Sequence, residues 1–398
     1  MANTFTEITP TLHRAMDVIS QEQNGATMAV MRDTSADVAA LNQNVTISVT
    51  QDATINTITP SMTIPQGDDQ TVNGVSVVMD TMEAAQIPWT AQDRVLLQNG
   101  DLPQLREVMS KQVMQAVRAL RNKVEDKITD QYIYASRAYG TAGTAPFATA
   151  DDLSDFANIA RILDDNGAPD DGDRHLVLGS AAYASLMGKQ SSLFKINEAG
   201  TDDLLRRGSL GQVEGLQIHK SAKIETHTAG TGASATTDNA GYAIGATTLT
   251  LASAGTGTII AGDSITLAGD TNKYMVVTGD TDVSDGGTIV LAAPGLRQAI
   301  PAAATAITVV ESAGGVYAGN MAFSRNAIVL ATRLPSAPSM QGQGTSDAAM
   351  FEEVLTDEYS GISMRYALYG GYHKTMTEVS LLYGVKTIKP EHFALLLG

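Results

Sequence analysis

The stretch QLREVMSKQVMQAVRALRNKVEDKITDQYIYASRAY, residues 104–139, decides the architecture of this chain. Charged residues fill one face of it, and neither proline nor glycine interrupts the run. Apolar residues recur at steps of three or four, the period of a helix face: Leu105, Met109, Val113, Val117, Leu120, Val124, Ile128 and Tyr132. The pattern predicts one helix within Asp101–Tyr139, about 54 Å long at 1.5 Å per residue. A coiled-coil helix is the alternative, although no strict heptad seam is sustained.

Upstream of this helix the period of the apolar residues changes to two. Val45, Ile47 and Val49 alternate with polar residues, which predicts a half-buried strand from Asn44 onward. Apolar character returns at Val72–Met79, after the prolines and polar residues of 60–70. We predict a long hairpin or loop, with an ordinary surface hairpin as the alternative. A short helix from Thr9-Pro10 to Ile19 is predicted before it.

Downstream, the chain alternates between helical and extended patterns. Asp151–Glu225 is typical of mixed α/β structure, with a helix that ends at Asn166-Gly167. The other elements predicted there are a strand at His175–Leu178, a helix at Ala181–Met187 and one strand within Gly211–Ala222. The C-terminal part is rich in strand patterns: Met321–Thr332, Gly361–Tyr372 and Glu378–Ile388, followed by the apolar tail Pro390–Leu397.

Between these parts, Thr226–Ser312 differs in composition from the rest of the chain. It has nine charged residues, seven of them acidic, and neither phenylalanine nor tryptophan. Gly-Asp pairs lie beside its strand-like runs as turn signals. Regularly spaced short strands indicate a small all-β sandwich or barrel: Thr247–Leu251, Ser264–Leu267, Lys273–Thr278, Thr288–Leu291 and Ala306–Val310. The surrounding α/β pattern resumes after Ser312, so we interpret the segment as an inserted domain.

Composition excludes several classes of protein and site. The formal net charge of −17 gives no electrostatic driver for binding nucleic acid. Without cysteine there are no disulfides and no thiolate metal sites. Charged residues interrupt Met1–Gly25, so it does not resemble a signal peptide, and no apolar run approaches the ~20 residues that span a bilayer. We therefore expect a soluble chain, intracellular at synthesis, with no membrane partner.

A search of the sequence for catalytic chemistry finds no P-loop, zinc-protease or nucleophile-elbow motif, and Ser209 fits a turn. No two of the six histidines have ligand spacing on one helix. The acidic loops at 164–173 and 280–285 are interpreted as solvated turns, with a calcium site as the alternative. We expect no enzyme activity and no cofactor. The only tryptophan, Trp89, fits a packing anchor.

Four stretches carry a family resemblance. One is Val77–Thr90, which ends in Gln-Ile-Pro-Trp-Thr, and another is Asp173–Leu178 together with Gly211–Leu216. The others are Met321–Ala327 and the run from Leu382-Tyr383-Gly384 to Pro390-Glu391. Together with the order of segments, they resemble the tailed-bacteriophage major capsid (coat) proteins of the Hong Kong 97 fold. The β insertion makes the chain similar to the P-twenty-two coat protein type.

The resemblance implies an α+β chain with an N-terminal arm, an extended loop, a spine helix in a peripheral domain, an axial domain and an inserted all-β domain. The implied boundaries are an arm at 1–43, an extended loop at 44–98, a peripheral domain at 99–148, a first axial part at 149–225, an inserted domain at 226–312 and closing strands at 313–398.

The resemblance also implies a function and partners. Copies would form hexamers and pentamers in an icosahedral shell around double-stranded DNA, which is enclosed cargo. A scaffolding protein and a portal would take part in assembly in the host cytoplasm. The assembled copies would form the capsid of the virion. The implied subunit-interface residues are Pro65, Gln66, Asp68, Asp69, Trp89, Asp280 and Asp282.

Two alternatives of other classes remain open. The Gly/Thr-rich insert is also typical of a carbohydrate-binding or adhesin-like surface protein. Such a protein normally clusters exposed aromatic rings, whereas the insert has only Tyr242 and Tyr274. An enzyme with an unfamiliar site would need converging polar groups that the sequence does not display.

Overall fold

The structure is a computed structural model that describes residues 24–49, 55, 57–62, 64, 73–98, 102–190, 211–311, 314–336, 349–357 and 360–398. The predicted helix at Thr9–Ile19, the turn at Ser209 and the tip of the predicted hairpin lie outside the described residues.

The elements of the first half combine short strands with longer helices. In chain order they are α1 (Ala26–Ala29), β1 (Met31–Ala39), β2 (Asn44–Val49), β3 (Asn73–Val78), β4 (Thr81–Thr90), α2 (Ala91–Gln98), α3 (Leu102–Thr129), β5 (Arg137–Gly140), α4 (Ser154–Asp165), β6 (Arg174–Leu178) and α5 (Ser180–Lys189).

The described elements of the second half are strands, apart from short 3-10 turns at Arg325–Ala327 and Pro390–His392. They are β7 (Gln212–Val213), β8 (Leu216–Lys220), β9 (Thr226–Thr228), β10 (Ala235–Thr236), β11 (Thr248–Leu251), β12 (Ser264–Leu267), β13 (Lys273–Thr278), β14 (Gly287–Leu291), β15 (Ala306–Val309), β16 (Val316–Ser324), β17 (Ile328–Pro335), β18 (Ala349–Thr356), β19 (Ser363–Gly371), β20 (Lys374–Thr387) and β21 (Phe393–Leu397).

The long helix forms but is shorter than predicted. Helix α3 has 28 residues, about 42 Å at 1.5 Å per residue. A 3-10 turn follows at Asp130–Tyr134, and the chain then enters β5. The prediction is wrong for residues 135–139, because Ser136 and β5 bond to β21, more than 250 positions away: the Ser136 amide donates to the Phe393 carbonyl at 2.8 Å. A local period carries no signal of that partner.

The predicted hairpin is confirmed. Strands β2 and β3 pair antiparallel, from Asn44 opposite Val78 to Val49 opposite Asn73. They form a two-stranded sheet of their own, separate from the two large sheets. Val77 and Met79 are buried at its base, where Val329 and Leu382 belong to the same apolar cluster. The hairpin is thus attached to the body of the protein through this cluster, on which Val45 and Ile47 of β2 also pack.

A six-stranded sheet supports α3. Its order is β1-β17-β20-β19-β18, and β4 pairs with the other edge of β20. The 14-residue strand β20 lies at the centre and pairs with three strands. Leu120, Val124 and Ile128 of α3 are buried in the same core as Val379 and Leu381 of β20. The predicted apolar helix face is thus the face that packs on this sheet.

A second, 13-stranded sheet contains β16 and β21 at its middle, flanked by β6 and β5. Helices α4 and α5 contribute Phe156, Ile159, Leu163 and Leu186 to a core shared with Leu176 and other strand residues. The predicted end of α4 is confirmed, because Asn166 caps it and Gly167 has a φ of +76°. The chain is a mixed α+β protein, rich in sheet.

Two predicted strands are wrong as single elements. Residues 211–222 form β7 and β8, joined by a tight turn in which Glu214 and Gly215 have positive φ. Such a turn matches the twist of a hairpin. Residues 321–332 are divided by a 3-10 turn at Arg325–Ala327, and the two halves, in β16 and β17, belong to different sheets. The Arg325 amide donates to the Asp173 carbonyl at 3.0 Å and fixes this turn.

From Thr226 to Val309, where the structure has no gap, the chain forms seven strands and no helix. The five predicted runs coincide with β11 to β15. These strands share an apolar cluster that includes Leu249, Ile265, Tyr274 and Ile289. One edge is not separate from the rest of the protein, because Lys273 and Tyr274 of β13 pair with β5.

A buried carboxylate fastens three distant segments together. Glu125 of α3 is fully buried and accepts hydrogen bonds from the Ala26 amide (2.8 Å), the Thr27 amide (2.8 Å) and the Thr27 hydroxyl (2.6 Å). It also accepts one from the Ser221 hydroxyl (2.7 Å), just after β8. Every donor is aimed at one carboxylate, so removal of its charge leaves buried donors facing each other.

This arrangement predicts a large effect of a nearly isosteric substitution. Glu125→Gln places an amide group against N–H and O–H donors, and we expect unfolding free energy to fall by about 2–3 kcal/mol. Denaturant unfolding followed by circular dichroism measures the change. Glu107→Gln on the same helix is the control, since the Glu107 side chain is half-exposed and, among the described residues, pairs with Lys111 alone. Equal, small shifts for both variants would refute the role given to Glu125.

Candidate functional site

An unusual surface among the described residues lies between β2 and β3, at residues 55, 57–62 and 64, which are called the arm below. Ile55, Ile58, Met62 and Ile64 are 94%, 95%, 106% and 95% exposed. A soluble chain rarely leaves such a group of large apolar side chains in water unless a partner covers them. The described residues of this segment form neither a helix nor a strand. The arm therefore has the properties of a binding element.

A groove on the body of the same chain has matching chemistry. It lies between α3 and the strands β18 and β19 and has a volume of about 830 Å³. The ring of Phe351 meets that of Tyr366 edge to face, with centroids 6.3 Å apart. Its apolar lining comes from both layers: Val113, Met114, Val117, Phe351, Leu355 and Tyr366. Charged side chains, among them Arg118 and Glu353, complete its lining.

The groove stays open because β18 is the last strand of its sheet. It pairs with β19 and, among the described residues, with no strand on its other side. Met350, Phe351 and Val354 are exposed on it, as is Met114 on α3. An open strand edge beside apolar side chains is a site for pairing with another chain. Sequence periodicity missed this surface, because it arises from two elements more than 200 residues apart.

The structure does not bring the predicted interface residues together. Pro65, Gln66, Asp68 and Asp69 lie outside the described residues. Trp89, at 1% exposure, is packed in β4, which fits the packing-anchor interpretation and leaves little surface for a partner. Its interface assignment remains a prediction.

Asp280 and Asp282 lie in a turn of the insert. The Asp282 amide donates to Asp280 Oδ1 at 2.9 Å, and Asp282 Oδ1 accepts from the Ser284 hydroxyl at 2.6 Å. The bond from the Ser284 side chain is the main cause that lowers the pKa of Asp282. Asp282 is exposed, so the turn is open to a partner, and its part in a subunit contact remains a prediction.

The first acidic loop is engaged by arginines. Asp164 pairs with Arg174 at 2.7 Å, and Asp165 pairs with Arg137 at 3.1 Å. Within the described ranges no three His, Asp or Glu side chains form a metal-ligating group.

The two tyrosines of the insert donate hydrogen bonds to aspartates of the insert itself. Tyr274 is fully buried and donates to Asp270 at 2.6 Å. Tyr242 is half-buried and donates to Asp238 at 2.7 Å. Neither tyrosine belongs to a cluster of exposed rings, so these residues offer no support for stacking on a sugar.

The sequence patterns did not predict two buried polar clusters. In the first, His227 Nε2 donates to the Asp263 carboxylate at 2.7 Å, and its Nδ1 lies 2.9 Å from the Tyr132 hydroxyl. Asp263 is fully buried, although its Gly-Asp pair signalled only a turn. Burial raises the pKa of Tyr132 to about 12 and also raises the pKa of Glu311 nearby. The cluster joins the end of α3 to the insert.

The second cluster pairs two histidines across adjacent strands. His175 Nδ1 lies 3.0 Å from His219 Nε2. Strands β6 and β8 run parallel with His175 opposite Gln217, so His219 lies two residues further along the same face of β8. The guanidinium of Arg325 lies 3.3 Å from His175 Nε2, so that nitrogen accepts and Nδ1 carries the proton. Burial first, then the charges of His219 and Arg325, lower the pKa of His175 to about 4. The pair is 44 positions apart, and no helix spacing could reveal it.

Within the described residues, no helix is long and apolar enough to cross a lipid bilayer.

Comparisons with known proteins give distant structural matches. No protein-family model and no curated protein matches the sequence. A structure from Mycobacterium phage Che8 is 15% identical, with a TM-score of 0.47, over 99% of this chain and 98% of that chain. The capsid structure of cyanophage P-SCSP1u is 12% identical, with a TM-score of 0.49, over 97% and 91%. The mature capsid of bacteriophage PhiM1 is 12% identical, with a TM-score of 0.47, over 99% and 92%.

The histidine pair predicts a pH dependence of stability. Because the folded pKa of His175 is near 4 and an unfolded histidine titrates near 6.5, only the unfolded chain binds this proton between those values. Stability is therefore complete above pH 6.5 and falls as the pH decreases toward 4, by at most about 1.4 kcal/mol per pH unit for this group. Denaturant midpoints between pH 7 and 4 measure the slope.

His175→Asn keeps a donor in the place of Nδ1 and removes the titration, so its slope should be smaller. His373→Asn is the control, because His373 is exposed at positive φ, a conformation that asparagine tolerates. An unchanged slope in His175→Asn would contradict the assignment.

Proposed function

We propose that this chain is a major capsid protein of the tailed-bacteriophage type, which assembles as hexamers and pentamers into an icosahedral shell enclosing double-stranded DNA. One observation carries the proposal: the chain has an apolar arm and an apolar groove, and no residue that the structure describes covers either of them. A second copy supplies the missing partner for each. The sequence resemblance described above points to the same function.

The parts of the fold have counterparts in the proposed architecture. The hairpin of β2 and β3 with residues 55–64 is the extended loop, and α3 with the six-stranded sheet is the peripheral domain. Helices α4 and α5 with β6 and β16 form the axial domain, and 226–312 is the inserted domain. This division and the Hong Kong 97-type fold are part of the proposal. So is the N-terminal arm at 1–43, which is a different segment from the arm of residues 55–64.

The proposed contact is heterologous, because the arm of one copy binds the groove of the next. Such a contact, repeated around an axis, closes into a ring when the rotation is an integral fraction of a circle. Each buried apolar side chain of the arm contributes at most about 1.5–3 kcal/mol, before the cost of association is subtracted. A single contact is modest, and a closed lattice multiplies it.

The charge of the chain fits a container for DNA. At −17, the protein repels the phosphate backbone at long range, so packaged DNA would not adhere to the wall. The DNA is enclosed cargo in this proposal. A scaffolding protein and a portal are the other partners that it requires during assembly.

The proposal is tested by substitutions on the two surfaces. We expect the full chain, co-expressed with its scaffolding protein, to form closed shells or ring-shaped capsomers in negative-stain micrographs. Ile58→Asp with Met62→Asp should leave soluble single subunits, because charges replace two arm anchors. Met114→Asp in the groove should have the same effect. Sedimentation velocity gives the size distribution.

The control is Ile244→Asp, which changes an equally apolar, 66% exposed residue of the insert and belongs to neither surface. It should assemble as the unsubstituted chain does. Assembly of the arm variant at the normal yield would rule out the arm as the contact. An unsubstituted chain that stays monomeric with its scaffold and binds a glycan would overturn the function itself.

A further inference from the structure

A cavity of about 480 Å³ lies where β5 and β13 meet the loop after β5 and helix α4. It is separate from the arm and the groove, and the assembly proposal does not use it. Four threonines line it, including Thr144 and Thr149, together with Asn272. Hydroxyl and amide groups of this kind can donate hydrogen bonds to an anion.

The charge of the cavity is opposite in sign to that of the chain. Three cationic side chains line it, Arg137, Arg161 and Lys273, against the single carboxylate of Asp155. Asp155 is itself engaged, since it accepts a hydrogen bond from the Phe147 amide at 2.7 Å. The wall therefore carries two net positive charges in a chain whose net charge is −17.

Two of the three cations lack a carboxylate partner. Arg137 pairs with Asp165 at 3.1 Å and donates to Asn272 at 2.8 Å. Arg161, which is exposed, has neither an ion pair nor a hydrogen bond to any residue that the structure describes. The Lys273 ammonium donates to the Gly140 carbonyl, and it too has no ion pair within the described ranges. Burial lowers the pKa of Lys273, and the charge of Glu311, which lies beyond ion-pair distance, raises it.

We propose that this cavity binds an oxyanion of the phosphate class, held by Arg161 and Lys273 with hydroxyl groups of the threonine lining. A phosphate presents several charged oxygens in different directions, which suits cations on separate elements, α4 and β13. The anion has two sources with the same chemistry: free phosphate or pyrophosphate, and a phosphodiester of a nucleic acid.

Calorimetric titration of the full chain with sodium pyrophosphate, at low salt and pH 7, tests the site. We expect saturable binding to the unsubstituted protein and an affinity at least tenfold lower for Arg161→Gln. Lys273→Gln should weaken binding similarly, because glutamine can still donate to the Gly140 carbonyl but carries no charge. Arg94→Gln is the control, because Arg94 is an exposed arginine of α2, a helix that contributes no residue to the cavity. The affinity of this variant for pyrophosphate should equal that of the unsubstituted protein.

A second titration with a short oligothymidylate distinguishes the sources. Binding that depends on Arg161 assigns the site to a phosphodiester, and binding of pyrophosphate alone assigns it to the free anion. No heat of binding up to about 10 mM pyrophosphate, or equal affinities in Arg161→Gln and Arg94→Gln, would overturn the proposal.

Discussion

The pairing of the four-residue strand β5 on both of its edges is the constraint on which the rest of the structure depends. On one side β5 runs parallel to β21, and on the other it pairs antiparallel with β13. Through it, the strands of residues 226–309 continue the sheet that contains β6, β16 and β21. The same pairing ends the helical region at Tyr134 and brings Arg137 beside α4. One short strand thus connects the end of the long helix, the insert and the cationic cavity.

The buried core that stabilises the subunit and the exposed apolar surfaces lie in different parts of the molecule. The inward faces of α3 and β20 are buried in one core, and Glu125 fastens α1 and Ser221 to the same helix. Near Met114 the outer part of α3 is exposed, and the described apolar side chains of the arm are almost fully exposed. In a single copy both apolar surfaces are exposed to water, which is unfavourable. Contact between copies buries them. The account of function follows from this imbalance.

Much of the fold could be predicted from local patterns. The hairpin, helix α4 and the strands of the insert follow from periodicity and turn residues alone, because each is set by its own residues. The end of α3 and the division of residues 321–332 could not be predicted, since distant strands decide both. Hydrogen bonding by β21 overrides the helical prediction from Ser136 onward.

The functional surface was harder to predict than the fold. The sequence predicted the hairpin. The apolar residues of 55–64 suggest a contact only once the groove is known, and that groove is formed by α3 and β18 together. The pairs His175–His219 and His227–Asp263 likewise depend on strand register. Asp263 carried a turn signal and is a buried acceptor, because a Gly-Asp pair is compatible with either role.

Contact between the arm of one copy and the groove of the next is the central claim, and disulfide trapping tests it most directly. The chain has no cysteine, so an introduced pair has no background. Ile58→Cys combined with Met114→Cys, oxidised in assembled particles, should give a ladder of covalent oligomers on a non-reducing gel that ends at five and six subunits. Ile58→Cys with Ile244→Cys should give no ladder. Particles that assemble normally, yet give the same bands for both pairs or none for the first, would contradict the claim.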